Sequence, residues 1–137
     1  MEESKKDYLD VKYNENEKPL TDFPKKLIEY LANRFGINSD TTLLELGCGR
    51  CETLNAFSHI GLSAYGVDSS EKARTYASKS VSDVYVSDLE NETLPFDSEK
   101  FDVVFSKSVI EHISNPTHLM KEISRILKPN GLLIILT

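Results

Sequence analysis

The chain reads as an α/β protein, a mostly parallel sheet with helices on both faces. Three observations predict this. Short strands rich in Val, Leu and Ile alternate with helical segments from about residue 40 onward, the pattern of a parallel sheet buried on both sides. The first strand runs directly into a glycine turn, Gly47-Cys48-Gly49, with a helical segment immediately behind it, an arrangement that cradles nucleotide-like ligands. A chain of 137 residues, 39% hydrophobic and 28% charged, suffices for one domain with its own core.

The elements follow in order. Residues 1–20 are polar and lack sustained periodicity, so they read as a flexible arm or lid, which Tyr8, Leu9, Val11 and Tyr13 could anchor on binding; residues 21–137 form the core domain. Leu27, Ile28, Leu31 and Phe35 share one face of a helix over about 24–35. Asp22 or Phe23 opens it, Pro24 suits its first turn, and Gly36 stops it. Strands are expected at 42–46, 64–67, 84–86, 101–105 and 132–136, and helices at 52–60, 70–79 and 116–127. Leu119, Ile123, Ile126 and Leu127 share a face of the last helix, which Lys128-Pro129-Asn130-Gly131 breaks.

Bulk properties argue against some classes. The net charge is -6 and the pI about 5.1, whereas a nucleic-acid binder carries a basic face. No apolar run reaches the roughly 18 residues of a membrane span, and Met1 to Lys6 lack the apolar stretch of a signal peptide. A cytoplasmic location is expected. Cys48 and Cys51 form a Cys-Gly-Arg-Cys pair. It could be a redox motif or half a zinc site, but no second pair or matching His half-site accompanies it. No metal is expected, and the cysteines read as small residues filling a tight turn.

In parallel sheets ligands sit beyond the carboxyl ends of the strands. Those positions hold Glu45 and 47–51, then Asp68, Asp88 and 106–108. Asp68 lies 21 positions beyond Gly47, the interval expected of an acid that accepts hydrogen bonds from both ribose hydroxyls. Asp88 could accept from the exocyclic amine of a purine. Dinucleotides fit poorly: the third small position of their fingerprint is Glu52, which would repel a pyrophosphate. A ligand with ribose and adenine but no phosphate fits better, and S-adenosylmethionine (SAM) is one.

Six segments together resemble the successive motifs of class I SAM-dependent methyltransferases, closest to the group acting on small molecules, lipids and quinones. They are 44–49, 66–70, 94–96 (Leu-Pro-Phe), 101–104, 109–113 and 125–131. The resemblance implies a three-layer Rossmann-like sandwich with strand order 3-2-1-4-5. Gly47 and Gly49 would meet the methionine part of SAM, with Cys48 and Cys51 in the same turn and Glu45 supporting the turn and the amino group. Asp68 and Ser69 would line the ribose edge, Asp88 and Leu89 would bracket adenine, and Ser106 would give backbone contacts beside the sulfonium, near Lys107. His112 would lie on the acceptor side as the candidate base.

The chain departs from the family pattern at Cys51, where a glycine is common, and at Asn130, which replaces the first glycine of a Pro-Gly-Gly turn but tolerates positive φ. It also stops at the fifth strand, where the family has seven. A truncated form is therefore expected, with 132–136 an apolar edge able to pair with another copy or a partner. The implied activity is methyl transfer from SAM to a small-molecule acceptor, leaving S-adenosylhomocysteine (SAH). The alternatives are a non-catalytic SAM-binding or partner module of the same fold, and a thiol switch at Cys48 and Cys51.

Overall fold

A computed structural model describes residues 7–12 and 23–137 of the chain. Its elements are α1 (Tyr8–Lys12), α2 (Phe23–Phe35), β1 (Thr42–Leu46), α3 (Glu52–Ser58), β2 (Ser63–Asp68), α4 (Ala73–Tyr76), β3 (Asp83–Val86), β4 (Phe101–Lys107), a 3-10 turn at Ile110–His112, α5 (Pro116–Ile126) and β5 (Leu127–Leu136). The strands form one sheet in the order β3-β2-β1-β4-β5, and every adjacent pair is parallel. This is the expected order. Tyr13 and Asp22 lie outside the described residues, as do the side chains of Val11 and Phe23.

Alternation along β1 divides the core. Leu43 joins Phe57, Phe105, Leu54 and Ile28 on the face covered by α2, α3 and α4. Leu44 and Leu46 join Val67, Phe101, Val104, Leu119 and Ile126 on the face covered by α5. Glu45 shares the parity of Leu43, so its side chain points toward α3. β1 lies between β2 and β4, which buries its end and fixes the glycine turn at the centre of the sheet.

Helix ends follow local chemistry. Gly36 (φ 67) closes α2, and Ile37 donates back to the Ala32 carbonyl at 3.0 Å. Asn115 caps α5 by accepting from the Thr117 amide at 3.2 Å, with Pro116 in the first turn.

Two expectations need correction. The helix expected over 70–79 is only Ala73–Tyr76. Asn55 ends it: its amide donates to the Tyr76 carbonyl at 3.0 Å and its oxygen accepts from the Ser78 amide at 2.8 Å, so a side chain takes the groups a longer helix would have paired. The fifth strand starts at Leu127, not 132. Leu127 pairs with Phe101 and Leu132 with Val103, and the intervening residues are absorbed in a register shift, with Asn130 at φ 64. Within the segment expected as an arm or lid, α1 forms a short helix whose Leu9 is buried. None of the helices among the described residues is long and apolar enough to cross a membrane.

Candidate functional site

The carboxyl ends of the strands open into a cavity of about 530 Å³. From the first turn it is lined by Gly47, Cys48 and Gly49, from the end of β2 by Asp68 and the following Ser69, and from the loop after β3 by Asp88, Leu89 and Glu90. Lys107 at the end of β4, with Val109 and His112 beyond it, closes another side, and Tyr8 of α1 also lines the cavity.

The turn is held by its amides. Gly47 and Cys48 both donate to the Val67 carbonyl, at 2.7 and 3.1 Å, which bends the chain sharply off β1. Gly47 has φ 68, and a Cβ there would lie 2.4 Å from a Val109 methyl. Only glycine permits both the backbone angle and the approach of Val109.

Two buried carboxyl groups face the cavity. Asp68 is 3% exposed and accepts from the Gly49 amide at 3.1 Å and the Ser70 amide at 3.0 Å. The Tyr8 hydroxyl lies 2.8 and 2.6 Å from its two oxygens. Glu45, also 3% exposed, receives the Thr53 hydroxyl at 2.6 and 2.7 Å. Burial pushes its pKa up to about 8, against the opposing pull of Thr53 and the more distant Lys107. Glu52, Asp88 and Glu90 add further acid against Arg50 and Lys107, so the cavity suits a cationic ligand.

Most of the sequence-derived site residues converge here: Glu45, Gly47, Cys48, Gly49, Asp68, Ser69, Asp88, Leu89 and His112 all line the cavity. Two do not. Cys51 is fully buried and turns its thiol toward the Ala73 carbonyl at 3.3 Å, so it is not a wall of the pocket. It sits at φ 58, the left-handed conformation that makes glycine common there. Ser106 is buried, and its neighbours Lys107 and Ser108 line the cavity instead. Cys48 is also buried, and its hydrogen bond with Cys51, together with burial, holds its thiol well above the usual range.

His112 stands at the outer edge with its side chain 62% exposed and Nε2 4.0 Å from Glu111. Asp88 uses its oxygens in its own turn, accepting from the Glu90 amide at 2.9 Å and the Asn91 amide group at 2.8 Å. Sequence reasoning did not assign Thr53 or Val109 to the site. Thr53 had a signal, since the second residue of a helix that follows a strand and tight turn sits over the strand end. Val109 had none. Among the described residues no group of acids, histidines and cysteines could hold a metal ion.

Comparison with known proteins bears on this geometry. The family described as "Methyltransferase domain" matches residues 44–135, from the middle of β1 nearly to the end of β5. The chain belongs to this family of class I, SAM-dependent methyltransferases. The domain is 31% identical over 134 positions to a ubiquinone biosynthesis O-methyltransferase of Pelagibacter ubique, covering 88% of this chain and 55% of that protein. It thus spans about half the length of the curated relatives it matches. A provisionally assigned SAM-dependent methyltransferase from Methanococcus maripaludis superposes with a TM-score of 0.81 at 21% identity, over 98% of this chain and 66% of that one. The [4+2]-cyclase SpnF superposes with a TM-score of 0.69 at 24% identity, over 80% of this chain and 44% of that one. At such identities the likeness is one of fold.

Proposed function

We propose that this domain binds SAM in the cavity at the end of β1 and β2 and transfers its methyl group to a small-molecule acceptor, acting in the cytoplasm. The observation that carries this reading is the buried Asp68 carboxylate. It sits at the end of β2, beside the Gly49 amide and facing the cavity, and its two oxygens can accept from a vicinal diol. The residues fit the group in charge and shape. SAM is cationic at its amino and sulfonium groups, and the cavity holds a surplus of carboxyl groups. A side chain at Gly47 would meet Val109, so the turn keeps a bare backbone beside the ligand.

In this reading Gly47, Cys48 and Gly49 present backbone to the methionine part, and Glu45 receives its ammonium group. Asp68 and Ser69 hold the ribose, while Leu89 packs against adenine and Asp88 accepts from its amine. Bound SAM supplies an electrophilic methyl group. The domain's work is to align an acceptor with it and exclude water, with Lys107, Ser108 and Val109 bordering the reacting side. A hydroxyl acceptor must also lose a proton, and His112 is the nearest group of suitable type. Hydroxyl-bearing acceptors come first to trial because the relatives are named O-methyltransferases.

Titration calorimetry with SAH tests the reading. Saturable binding by the wild-type protein is expected, with a loss of about 1–3 kcal/mol on Asp68→Ala. A folded protein that takes up no SAH at millimolar concentration, with or without the Tyr8 hydroxyl, defeats it.

A second reading is a cofactor-binding module without transferase activity. The exposure of His112 favours it, since a catalytic base works best in a closed, dry site. SAH binding with no methyl transfer to any catechol or phenol acceptor, and no partner found at the β5 edge, would count for this reading only in its ligand-binding form. A stable complex through β5 would support the partner form.

A further inference from the structure

The contact between α1 and Asp68 has a consequence for how the site is loaded. A carboxylate offers about four acceptor positions. Two on Asp68 are taken by the fixed amides of Gly49 and Ser70. The Tyr8 hydroxyl straddles both oxygens, at 2.8 and 2.6 Å, and fills the cavity-facing side. That is the seat a ribose diol would need.

Tyr8 is not held there by this contact alone. Leu9 next to it is 1% exposed and belongs to the core cluster with Ile28 and Leu54. Asp7 accepts from the Ser70 hydroxyl, and Asp10 pairs with Lys72. A Cβ placed on Gly49 would lie 3.7 Å from both the Leu9 side chain and the Tyr8 oxygen, so α1 rests directly on the glycine turn. Four consecutive residues of the arm therefore engage the ribose rim, one of them through a buried apolar anchor.

We propose that α1 is an internal plug of the cofactor site, in which the Tyr8 hydroxyl and the ribose diol compete for the Asp68 carboxylate. Loading then requires Tyr8 to leave Asp68. A diol brings two donor protons to the two oxygens where the phenol brings one, so the ligand replaces the plug with a better-matched donor set. The apparent affinity is lowered by the fraction of molecules that hold the plug in place. This inference rests on the reading of the cavity as a SAM site.

The experiment measures SAH affinity by calorimetry for the wild type, Tyr8→Phe and Leu9→Ala, together with hydrogen exchange at residues 7–10. Tyr8→Phe removes only the competing hydroxyl and should tighten SAH binding roughly three- to tenfold. Leu9→Ala removes the anchor but leaves Asp68 and Tyr8 intact, and should act in the same direction. Added SAH should speed exchange of the Leu9 and Asp10 amides in the wild type. SAH binding that is unchanged or weaker in Tyr8→Phe overturns the plug while leaving the cofactor reading intact, and so does slower exchange at residues 7–10 with SAH. No binding by the wild type and both variants overturns the cofactor reading and the plug with it. Binding by the variants alone would be the plug in its strongest form.

Discussion

The hydroxyl of Thr53, in the first turn of α3, sits 2.6 and 2.7 Å from the two carboxyl oxygens of Glu45, near the end of β1. This contact spans the glycine turn and ties the helix start to the strand end. It also keeps an acid in a place that excludes water, where burial lifts its pKa from 4.5 to about 8.

The sign of the pH dependence follows. Between those two values the folded chain holds a proton that the unfolded chain has released. Stability from this group is therefore full below about pH 4.5 and falls as pH rises toward 8. Glu45→Gln mimics the protonated acid and should flatten that decline, giving a variant more stable than the wild type at pH 8. Urea titrations from pH 5 to 8.5 check this, and parallel curves for the two proteins would refute it. SAM binding near neutral pH should also release protons, seen as a binding enthalpy that changes with the ionisation enthalpy of the buffer.

Gly47 faces two separate demands, a φ of 68 and a Val109 methyl 2.4 Å from any added Cβ. Gly47→Ala should cost about 2 kcal/mol or more, because valine is stiff and cannot swing aside. Adding Val109→Ala should recover the steric part and leave the backbone part. Thermal melts of the single and double variants separate the two, and a silent Gly47→Ala would contradict the geometry.

Arg125 holds the Leu94–Phe96 loop. Its guanidinium donates to the Phe96 and Leu94 carbonyls at 2.7 and 3.1 Å and to Glu122 at 2.8 Å, while Glu122 accepts from the Leu94 amide at 2.8 Å. Arg125→Ala should destabilise by about 2–3 kcal/mol, since several charge-assisted bonds go at once. Arg125 also holds the Glu122 carboxyl below its ordinary value of 4.5. That contribution is present above about pH 4.5 and is lost as pH falls through the lowered value. The wild type should therefore lose more stability than Arg125→Ala on acidification from pH 5 to 3. Equal losses would show that the pair carries no charge linkage.

Cys48 and Cys51 should behave as core residues in the native state. Both are buried, and the Cys48 thiol is raised well above the usual range by its bond to Cys51 and by burial. Labelling with a thiol-specific disulfide reagent at pH 8 should be slow until denaturant is added, and then involve both thiols. Fast labelling of folded protein would reopen the thiol-switch alternative.

The strand and helix sequence was legible because it rests on local period. β1 was expected at 42–46 and is found at Thr42–Leu46, and α5 was expected from Pro116, where it begins. That the glycine turn and Asp68 line one cavity was legible because the carboxyl ends of parallel strands meet at one edge of the sheet, whatever the side chains elsewhere. Local pattern could not show where α4 stops, because Asn55 ends it from another helix. The fifth strand began earlier than its apolar run for a similar reason, since pairing with Phe101 drew in Leu127.

The sequence by itself determined the α/β class, the strand-end acids and the family. Hydrophobic period and glycine spacing are properties of neighbouring residues, and both are written along the chain. Tertiary structure decided which of those residues face the cavity. It turned Cys51 into the core, raised the pKa of Glu45 by shutting out water, and brought Tyr8 onto Asp68 across 60 positions. Such contacts depend on how packed layers meet, and no periodicity in the chain encodes them.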